Sequence, residues 1–380
     1  MRVALVTSFP RDLSKPQGGV EAVSVNLARA LAELGDLDIH VVTCDSRVSA
    51  TETDSFEKIT VHRLPAPKGS VLTTALTTGR RAVCDYLRRL NPGVVHSHDT
   101  YGLMVKGLGL PRVFTVHGFI HADTLVSGVK LPKLRSKIWK WVETSGWADQ
   151  PHIISISPYV RERISGIARG TIHDIENPVS EAFFSIDRCE APGVIFCAAV
   201  ISPRKNTLAL IDAFEILVRQ GIDCQLRLAG KIAEPRYGRR VEERLRTGFL
   251  KDRVHLLGGL SSEQVRRELS GAAVFALTSL EENAPLGVEE AMAARVPVVV
   301  SNRCGMPYLV RHGETGFLVD PHHPEDIAYR LALLLKDGEL RKKMGERSRA
   351  IALECFHPAR VAYRTREVYR DAQRTAAHCN

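Results

Sequence analysis

Short runs of β-branched and other apolar residues alternate with segments of helical periodicity along most of the chain. The run RVALVTS (2–8) is typical of a buried strand, and the segment after it places Val23, Leu27 and Leu31 on one helical face. Further strands are predicted at 39–44, 94–98, 112–117 and 152–157. Strands that alternate with helices in this way predict a parallel sheet with helices on both faces.

The alternation is interrupted once, at a polar stretch (185–193). It then resumes with five more predicted strands: 194–200, 225–230, 253–258, 272–277 and 296–301. We therefore predict an α/β protein with two doubly wound, Rossmann-like domains, 1–187 and 188–356, facing across a ligand-binding cleft. The pattern does not assign the helical segment 357–380 to either domain, and packing back on the first domain is one option.

The length and composition are those of an ordinary globular protein. Its 380 residues exceed the usual size of one core, and 44% hydrophobic with 25% charged residues argues against disorder. The net charge of +9 is spread evenly, with +3 in each of 1–187, 188–356 and 357–380, which argues against a nucleic-acid binder. The eight cysteines, Cys379 among them, include no CxxC pair. No apolar run approaches the roughly 20 residues that span a bilayer, so we expect a cytoplasmic protein.

The candidate chemistry is concentrated between the predicted strand 272–277 and a helix expected to begin at Leu286, with Pro285 in its first turn. Four carboxylates lie within ten residues there: Glu281, Glu282, Glu289 and Glu290. Free backbone N–H groups at a helix N-terminus suit a phosphate, and carboxylates suit sugar hydroxyls. The alternative is a charge cluster that only complements the helix dipole.

The segment from Glu282 to Glu290, followed by Ala-Met-Ala and Val-Pro-Val-Val, resembles the Glu-x7-Glu motif of retaining glycosyltransferases of family 4, which have the GT-B fold. Glu281 and Glu289 have the same spacing, but only the later register puts the second glutamate directly before Ala-Met-Ala. The resemblance implies that Glu282 binds the donor sugar and Glu290 the ribose of the nucleotide. It also implies that the residues between them bind the donor: Asn283, Ala284, Pro285, Leu286 and Gly287.

The same resemblance implies a reaction. A hexosyl group would move from a UDP- or GDP-sugar to an acceptor hydroxyl, in the synthesis of a glycan, a glycolipid or a cell-surface polysaccharide. Neither a metal nor another cofactor is expected. The leaving phosphate would help to deprotonate the acceptor, so no protein nucleophile is required.

The segment 201–214 resembles the family's phosphate-binding segment, and Lys205 takes the position of the lysine expected at the diphosphate, where it stabilises the leaving group. The family usually has an arginine five or six positions earlier, where this chain has Ala199 and Val200. Either the grip on the donor is weaker, or Arg204 substitutes for that arginine. The alternative for Arg204 is a solvated loop charge.

Two motifs of the first domain match the family. Gly18 and Gly19 begin the helix after the first strand, where glycines allow close approach of a ligand. His117, at the end of the predicted strand 112–117, resembles the histidine that approaches the transferred sugar, with a core histidine as the alternative. We therefore predict His117, Lys205 and Glu282 as the catalytic residues.

His96 and His98 share one face of a predicted strand, a spacing that could also ligate a metal. The family has a similar histidine-rich strand end without a metal, so an acceptor-side or structural role is favoured.

The segment 130–141 mixes five basic residues with two tryptophans. This composition suits peripheral contact with an anionic membrane surface, at the inner face of the membrane, where a lipid-linked acceptor would lie. A core helix with solvated basic side chains is the alternative.

Two other functions stay open at this point. A nucleotide-sugar 2-epimerase has the same architecture, and a non-catalytic nucleotide-sugar-binding protein would use the same pocket. The absence of GxGxxG after the first strand disfavours a dehydrogenase.

Overall fold

A computed structural model gives the fold and describes residues 1–67, 74–75, 78–246 and 250–378. Cys379 and Asn380, at the end of the predicted final helix, lie outside these ranges. By its contacts the chain divides into two compact units. Unit 1 comprises Met1–His121, Lys137–Pro178 and His357–Asn380. Unit 2 comprises Ala122–Ser136 and Val179–Phe356.

The compact units differ from the predicted domains in two places. Unit 2 begins at Val179 rather than after residue 187, because the N–H of Val179 donates to the carbonyl of Phe356, 3.0 Å away in the same unit. The segment Ala122–Ser136 also joins unit 2, where Asp123 lies beside Arg204.

Unit 1 is built on a single sheet, to which the described residues contribute eight strands. These are β1 Arg2–Val6, β2 Asp38–Asp45, β3 Glu52–Phe56, β4 Ile59–Pro65, β5 Val94–His98, β6 Arg112–Val116, β7 His152–Ser155 and β8 Thr171–Asp174. The strand order is β3-β4-β2-β1-β5-β6-β7-β8, and the antiparallel pair is β3 with β4. The order reverses between β1 and β5.

Unit 2 has a second sheet, with six strands in the described ranges. These are β9 Val194–Ala198, β10 Gln225–Ala229, β11 Val254–Gly258, β12 Val274–Leu277, β13 Val298–Ser301 and β14 Gly316–Val319. Neighbouring strands are parallel in the order β11-β10-β9-β12-β13-β14. This is the doubly wound order, and it reverses between β9 and β12.

Helices connect the strands. Their bounds are α1 Gly19–Glu33, α2 Thr78–Leu90, α3 Tyr101–Met104, α4 Ile120–Val126, α5 Pro132–Trp147, α6 Pro158–Ile164, α7 Glu181–Phe184, α8 Thr207–Arg219, α9 Pro235–Leu245, α10 Ser262–Gly271, α11 Leu286–Ala293, α12 Met306–Leu309, α13 Pro324–Lys336, α14 Gly338–Cys355 and α15 Pro358–His378. None of these helices is both long enough and apolar enough to cross a membrane, over the residues described.

The sheet of unit 1 is covered on both faces, as its apolar strands require. Alternate residues of β1 point to opposite faces: Leu5 joins a core with α1 and α15, whereas Val6 joins a core with α2 and α3. Tyr369 of α15 is completely buried in the first of these cores. Helix α15 is therefore an integral part of unit 1.

Candidate active site

The carboxyl ends of β9 and β12 are neighbours in unit 2, and they lie where the strand order reverses. The loop after β9 carries Arg204 and Lys205, and the loop after β12 carries Glu281 and Glu282. The N–H of Leu280 donates to the carbonyl of Arg204 at 2.8 Å, which joins the two loops directly. Ligands of doubly wound domains bind at this position of the sheet.

The Lys205 ammonium forms an ion pair with the Glu282 carboxylate. The turn that presents Lys205 ends at Asn206, which adopts the left-handed conformation (φ 54°). Its side-chain amide donates to the carbonyl of Pro321 at 2.7 Å. Burial alone raises the pKa of Glu282, but the positive charges of Lys205 and Arg204 outweigh it and hold that pKa below its usual value.

Arg204 contacts the same carboxylate, that of Glu282. Its Nη1 atom is 3.3 Å from Oε1 of Glu282, 2.9 Å from the carbonyl oxygen of Glu281 and 3.5 Å from Oδ1 of Asp123. The side chain is only a quarter exposed, so the structure does not show a solvated loop charge. Arg204 thus supplies a second positive charge beside Glu282.

Helix α11 begins beside these charges, at Leu286 as predicted. Pro285 is the N-cap rather than a residue of the first turn, because its ψ of 117° is extended. The N–H groups of Leu286 and Gly287 donate to no acceptor in the described part of the chain. Gly287 packs closely on β9, since a Cβ atom there would lie 3.1 Å from the carbonyl oxygen of Ala198. The helix therefore presents two open N–H groups to an anion.

The loop before α11 is held against Gly305. The N–H of Gly305 donates to the carbonyl of Glu282 at 2.8 Å, and a Cβ atom on Gly305 would collide with the carbonyl oxygen of Asn283. Asn283 itself is buried, and Ala284 is half-buried. Because only glycine permits this approach, the backbone on both sides of Glu282 is fixed.

The four carboxylates differ in their surroundings. The Glu281 carboxylate accepts from the Cys304 thiol at 3.1 Å, and Glu289 is completely buried. Glu290 is half-buried, and its carboxyl group makes no hydrogen bond or ion pair with any described residue. Desolvation raises the pKa of Glu290 to about 8. The register of Glu282 with Glu290 is thus the one that leaves the second carboxyl group available to a ligand.

In unit 1, three histidines follow one another at the ends of β5 and β6. Nε2 of His117 lies 3.0 Å from Nδ1 of His98, and the rings of His98 and His96 are 4.6 Å apart. His96 bonds through Nδ1 to the Tyr369 hydroxyl and through Nε2 to the Thr115 hydroxyl, both at 2.7 Å. The three rings therefore form one connected cluster.

Burial keeps these imidazoles neutral. It lowers the pKa of His117 to about 4 and that of His96 to about 3, and it lowers the pKa of His98 well below the usual value. A cavity of about 20 Å³ adjoins the cluster, which is room for about one water and not for a sugar. His96 and His98 are fully buried, which favours a structural role over direct contact with an acceptor. His117 is half-buried.

Gly18 and Gly19 lie at the start of α1, after β1, where the strand order of unit 1 reverses. A Cβ atom at either position would meet nothing within 4 Å. Packing within the protein therefore does not require glycine here, and the approach of a ligand to this loop stays a prediction.

Known proteins provide an independent comparison. The model for Glycosyltransferase Family 4 matches residues 17–183, and the model for Glycosyl transferases group 1 matches residues 179–351. The D-inositol 3-phosphate glycosyltransferase of Corynebacterium efficiens is 30% identical, and the match covers 100% of this chain and 97% of that protein. The chain belongs to glycosyltransferase family 4. It is an enzyme that transfers a sugar, which disfavours both the 2-epimerase and the non-catalytic binder.

Other relatives of this glycosyltransferase also match it over nearly the whole of both chains. The MMP alpha-(1->4)-mannosyltransferase of Mycolicibacterium hassiacum is 28% identical over 100% of both chains. Sucrose-phosphate synthase from Thermosynechococcus elongatus has a TM-score of 0.80 at 19% identity, covering 97% of this chain and 98% of its own. Anabaena HepE in complex with UDP-glucose has a TM-score of 0.74 at 16% identity, covering 98% and 100%. The predicted α/β fold of the GT-B class is confirmed.

One polar residue of the glycosyltransferase was not predicted. Asp123 of α4 contacts Arg204 although 81 positions separate them, and desolvation raises the pKa of Asp123 to about 6. The signal available in the sequence was an acid shortly after the His117-Gly118 pair. Among the described residues, no group of three or more His, Cys, Asp or Glu side chains is placed to hold a metal ion.

Proposed function

We propose that this glycosyltransferase is a retaining, metal-independent enzyme that moves a hexosyl group from a UDP- or GDP-sugar to a hydroxyl group of a carbohydrate or lipid-linked acceptor. Such a reaction would serve the synthesis of a glycan, a glycolipid or a cell-surface polysaccharide. The observation that carries the proposal is the convergence of Lys205, Arg204 and the open N–H groups of α11 where the strand order of unit 2 reverses.

This arrangement suits a diphosphate. Two cations and a helix N-terminus stabilise the negative charge that develops on the leaving nucleotide. Without a donor, Glu282 supplies the negative charge that Lys205 requires. A bound diphosphate would compete for Lys205 and release the Glu282 carboxylate to accept hydrogen bonds from the sugar hydroxyls.

Glu290 and His117 complete the proposed set. Glu290 has a carboxyl group available for a ribose diol, at the end of the same first turn. For His117 of unit 1 the proposed role is a hydrogen bond to the transferred sugar. As a neutral imidazole it would donate or accept a hydrogen bond rather than carry charge. The departing phosphate, not a side chain, would take the acceptor proton.

The comparisons bear on the donor. HepE is described in complexes with UDP, with UDP and glucose, and with UDP-glucose. One relative is named as an amylovoran biosynthesis glycosyltransferase, from Erwinia amylovora, and matches 42% of this chain at 34% identity. The HepE complexes favour a UDP-sugar as the first donor to test.

The test is a thermal-shift screen of UDP- and GDP-sugars, repeated with Glu290→Gln. A donor that binds only the folded protein raises Tm by mass action. At a donor concentration a hundredfold above Kd, the free energy of unfolding rises by about 2.7 kcal/mol. We expect one nucleotide class to raise Tm in the wild type and to have a much smaller effect in the variant. Product anomers are then assigned by NMR after transfer to candidate acceptors. An inverted anomer would contradict retention, and an equal shift in both proteins would contradict the proposed site.

A further inference from the structure

Helix α5 has an apolar stripe that faces solvent. Leu134, Ile138 and Trp141 are 56%, 55% and 71% exposed, and Leu131 just before the helix is 69% exposed. At 3.6 residues per turn these positions lie one above another on the same side of the helix. The opposite side packs inward through Ser136, half-buried Trp139, Val142 and Gly146. The exposed stripe is therefore additional to the face that the core needs.

Basic side chains border this stripe. Five of them are exposed, and none forms an ion pair within the described ranges: Lys130, Lys133, Arg135, Lys137 and Lys140. No acidic residue occurs between positions 124 and 142. The next acid, Glu143, turns inward to His121, with its Oε2 atom 2.7 Å from the ring nitrogen Nδ1. The outer side of α5 thus combines apolar and positive character only.

We propose that the outer face of α5, defined by Leu131, Leu134, Ile138 and Trp141 with their flanking basic residues, is a docking surface for an anionic lipid bilayer. The helix would lie in the plane of the headgroups, with its three apolar side chains inserted and its lysines at the phosphates. The Trp141 indole is suited to the boundary between apolar and aqueous layers.

Charge decides between a bilayer and a second copy of the chain. A symmetric dimer would place the same patch against itself, so each of the five positive charges would face others of the same sign with no acid to pair with. An anionic bilayer complements every one of them. The surface does not depend on the proposed donor or acceptor, because none of its residues belongs to the active site.

The full chain is tested by co-sedimentation with vesicles of equal parts phosphatidylcholine and phosphatidylglycerol, and with vesicles of phosphatidylcholine alone. We expect binding to the anionic vesicles, weakened at about 0.5 M salt by screening. A blue shift of tryptophan emission should accompany it, because Trp141 leaves water. Two triple variants test the apolar and the basic residues separately. The apolar-stripe variant carries Leu134→Ser, Ile138→Ser and Trp141→Ser. The basic variant carries Lys133→Gln, Lys137→Gln and Lys140→Gln. Each should bind at least about tenfold more weakly.

A matched control carries Tyr329→Ser, Leu353→Ser and Tyr363→Ser, three large side chains that are 56%, 41% and 53% exposed elsewhere. This control should bind like the wild type. Circular dichroism and Tm establish that all three variants fold. Failure of the wild type to bind anionic vesicles would overturn the proposal, as would equal binding by the apolar-stripe variant. A wild-type dimer in sedimentation velocity that the same variant abolishes, without vesicle binding, would assign the surface to a second copy instead.

Discussion

The polar residues at the ends of β5 and β6 in unit 1 and those that follow β9 and β12 in unit 2 avoid buried net charge in different ways. In unit 1, His96, His98 and His117 remain neutral because burial lowers the pKa of each. In unit 2, Glu282 stays ionised because Lys205 and Arg204 compensate it.

The difference has a physical consequence for function. A neutral hydrogen-bonded cluster holds its geometry whether or not a ligand is present. An ion pair, in contrast, can be exchanged: an incoming diphosphate can replace the carboxylate as the partner of Lys205. Unit 2 is therefore the unit in which we expect the charge of a ligand to matter most.

The largest effect is expected from Lys205→Ala. Loss of a cation at the leaving group should lower kcat/KM by roughly 10²–10³-fold. Arg204 still compensates Glu282, so the fall in Tm should be modest. Lys205→Arg should recover part of the activity, and Lys251→Ala, an exposed lysine of the same unit, should have no effect. Near-normal turnover of Lys205→Ala would show that the exchangeable ion pair of unit 2 does not take part in transfer.

Glu290→Gln should raise the KM for the donor by about tenfold or more, as expected when a ligand hydrogen bond to a carboxyl group is weakened. It should also change the pH dependence of stability. The pKa of Glu290 is raised to about 8, so the stabilising effect of its proton is complete below pH 4.5 and is lost as pH rises through about 8. The gain in Tm of Glu290→Gln over the wild type should therefore grow between pH 6 and pH 9. A difference in Tm between Glu290→Gln and the wild type that stays constant from pH 6 to pH 9 would contradict the raised pKa of Glu290.

Unit 1 should show the opposite pH dependence. The pKa of His117 is lowered to about 4, below the value of 6.5 expected for the unfolded chain. Its contribution to stability is complete above pH 6.5 and is lost as pH falls through about 4. We expect Tm to fall by roughly 5 °C or more between pH 7 and pH 4.5, with a shallower fall in His117→Asn. Identical slopes for the two proteins would show that His117 does not contribute.

The smallest effect on the fold is expected at the glycine pair of unit 1. Gly19→Ala should leave Tm unchanged or slightly raised, because alanine favours the helix and its Cβ atom meets no neighbour. Transfer should nevertheless slow severalfold if a ligand approaches the backbone there. Unchanged kinetics would mean that this loop does not contact substrate.

The central strands could be predicted from the sequence, and so could one edge strand, β11, which the prediction 253–258 covers. The prediction 94–98 coincides with β5, which is buried at every position. The strands that were missed, β3, β4, β8 and β14, lie at or next to the edges of their sheets. β3 has the sequence ETDSF and is largely exposed, so no apolar pattern marks it. Exposure explains why β3 was missed, but not β4 and β14, which are mostly buried.

The sequence predicted most residues of the candidate site, but not which of them contact one another. Lys205 and Glu282 are 77 positions apart, and only the adjacency of β9 and β12 brings them together. Asp123 carried no motif at all. Helix α5 is apolar on both sides, with Val142 inside and Ile138 outside, so its periodicity could not identify the exposed face. Which face of the helix is exposed depends on tertiary packing.

The place of α15 in the core of unit 1 bears on the order of events during synthesis. The strands of unit 1 leave the ribosome early, but Tyr369 and its neighbours on α15 emerge only after all of unit 2 has been made. We expect unit 2 to complete its fold first, while one apolar face of the unit 1 sheet is covered by α1 but not yet by α15. Chaperone dependence of this protein would then originate in the half of the chain that is translated first.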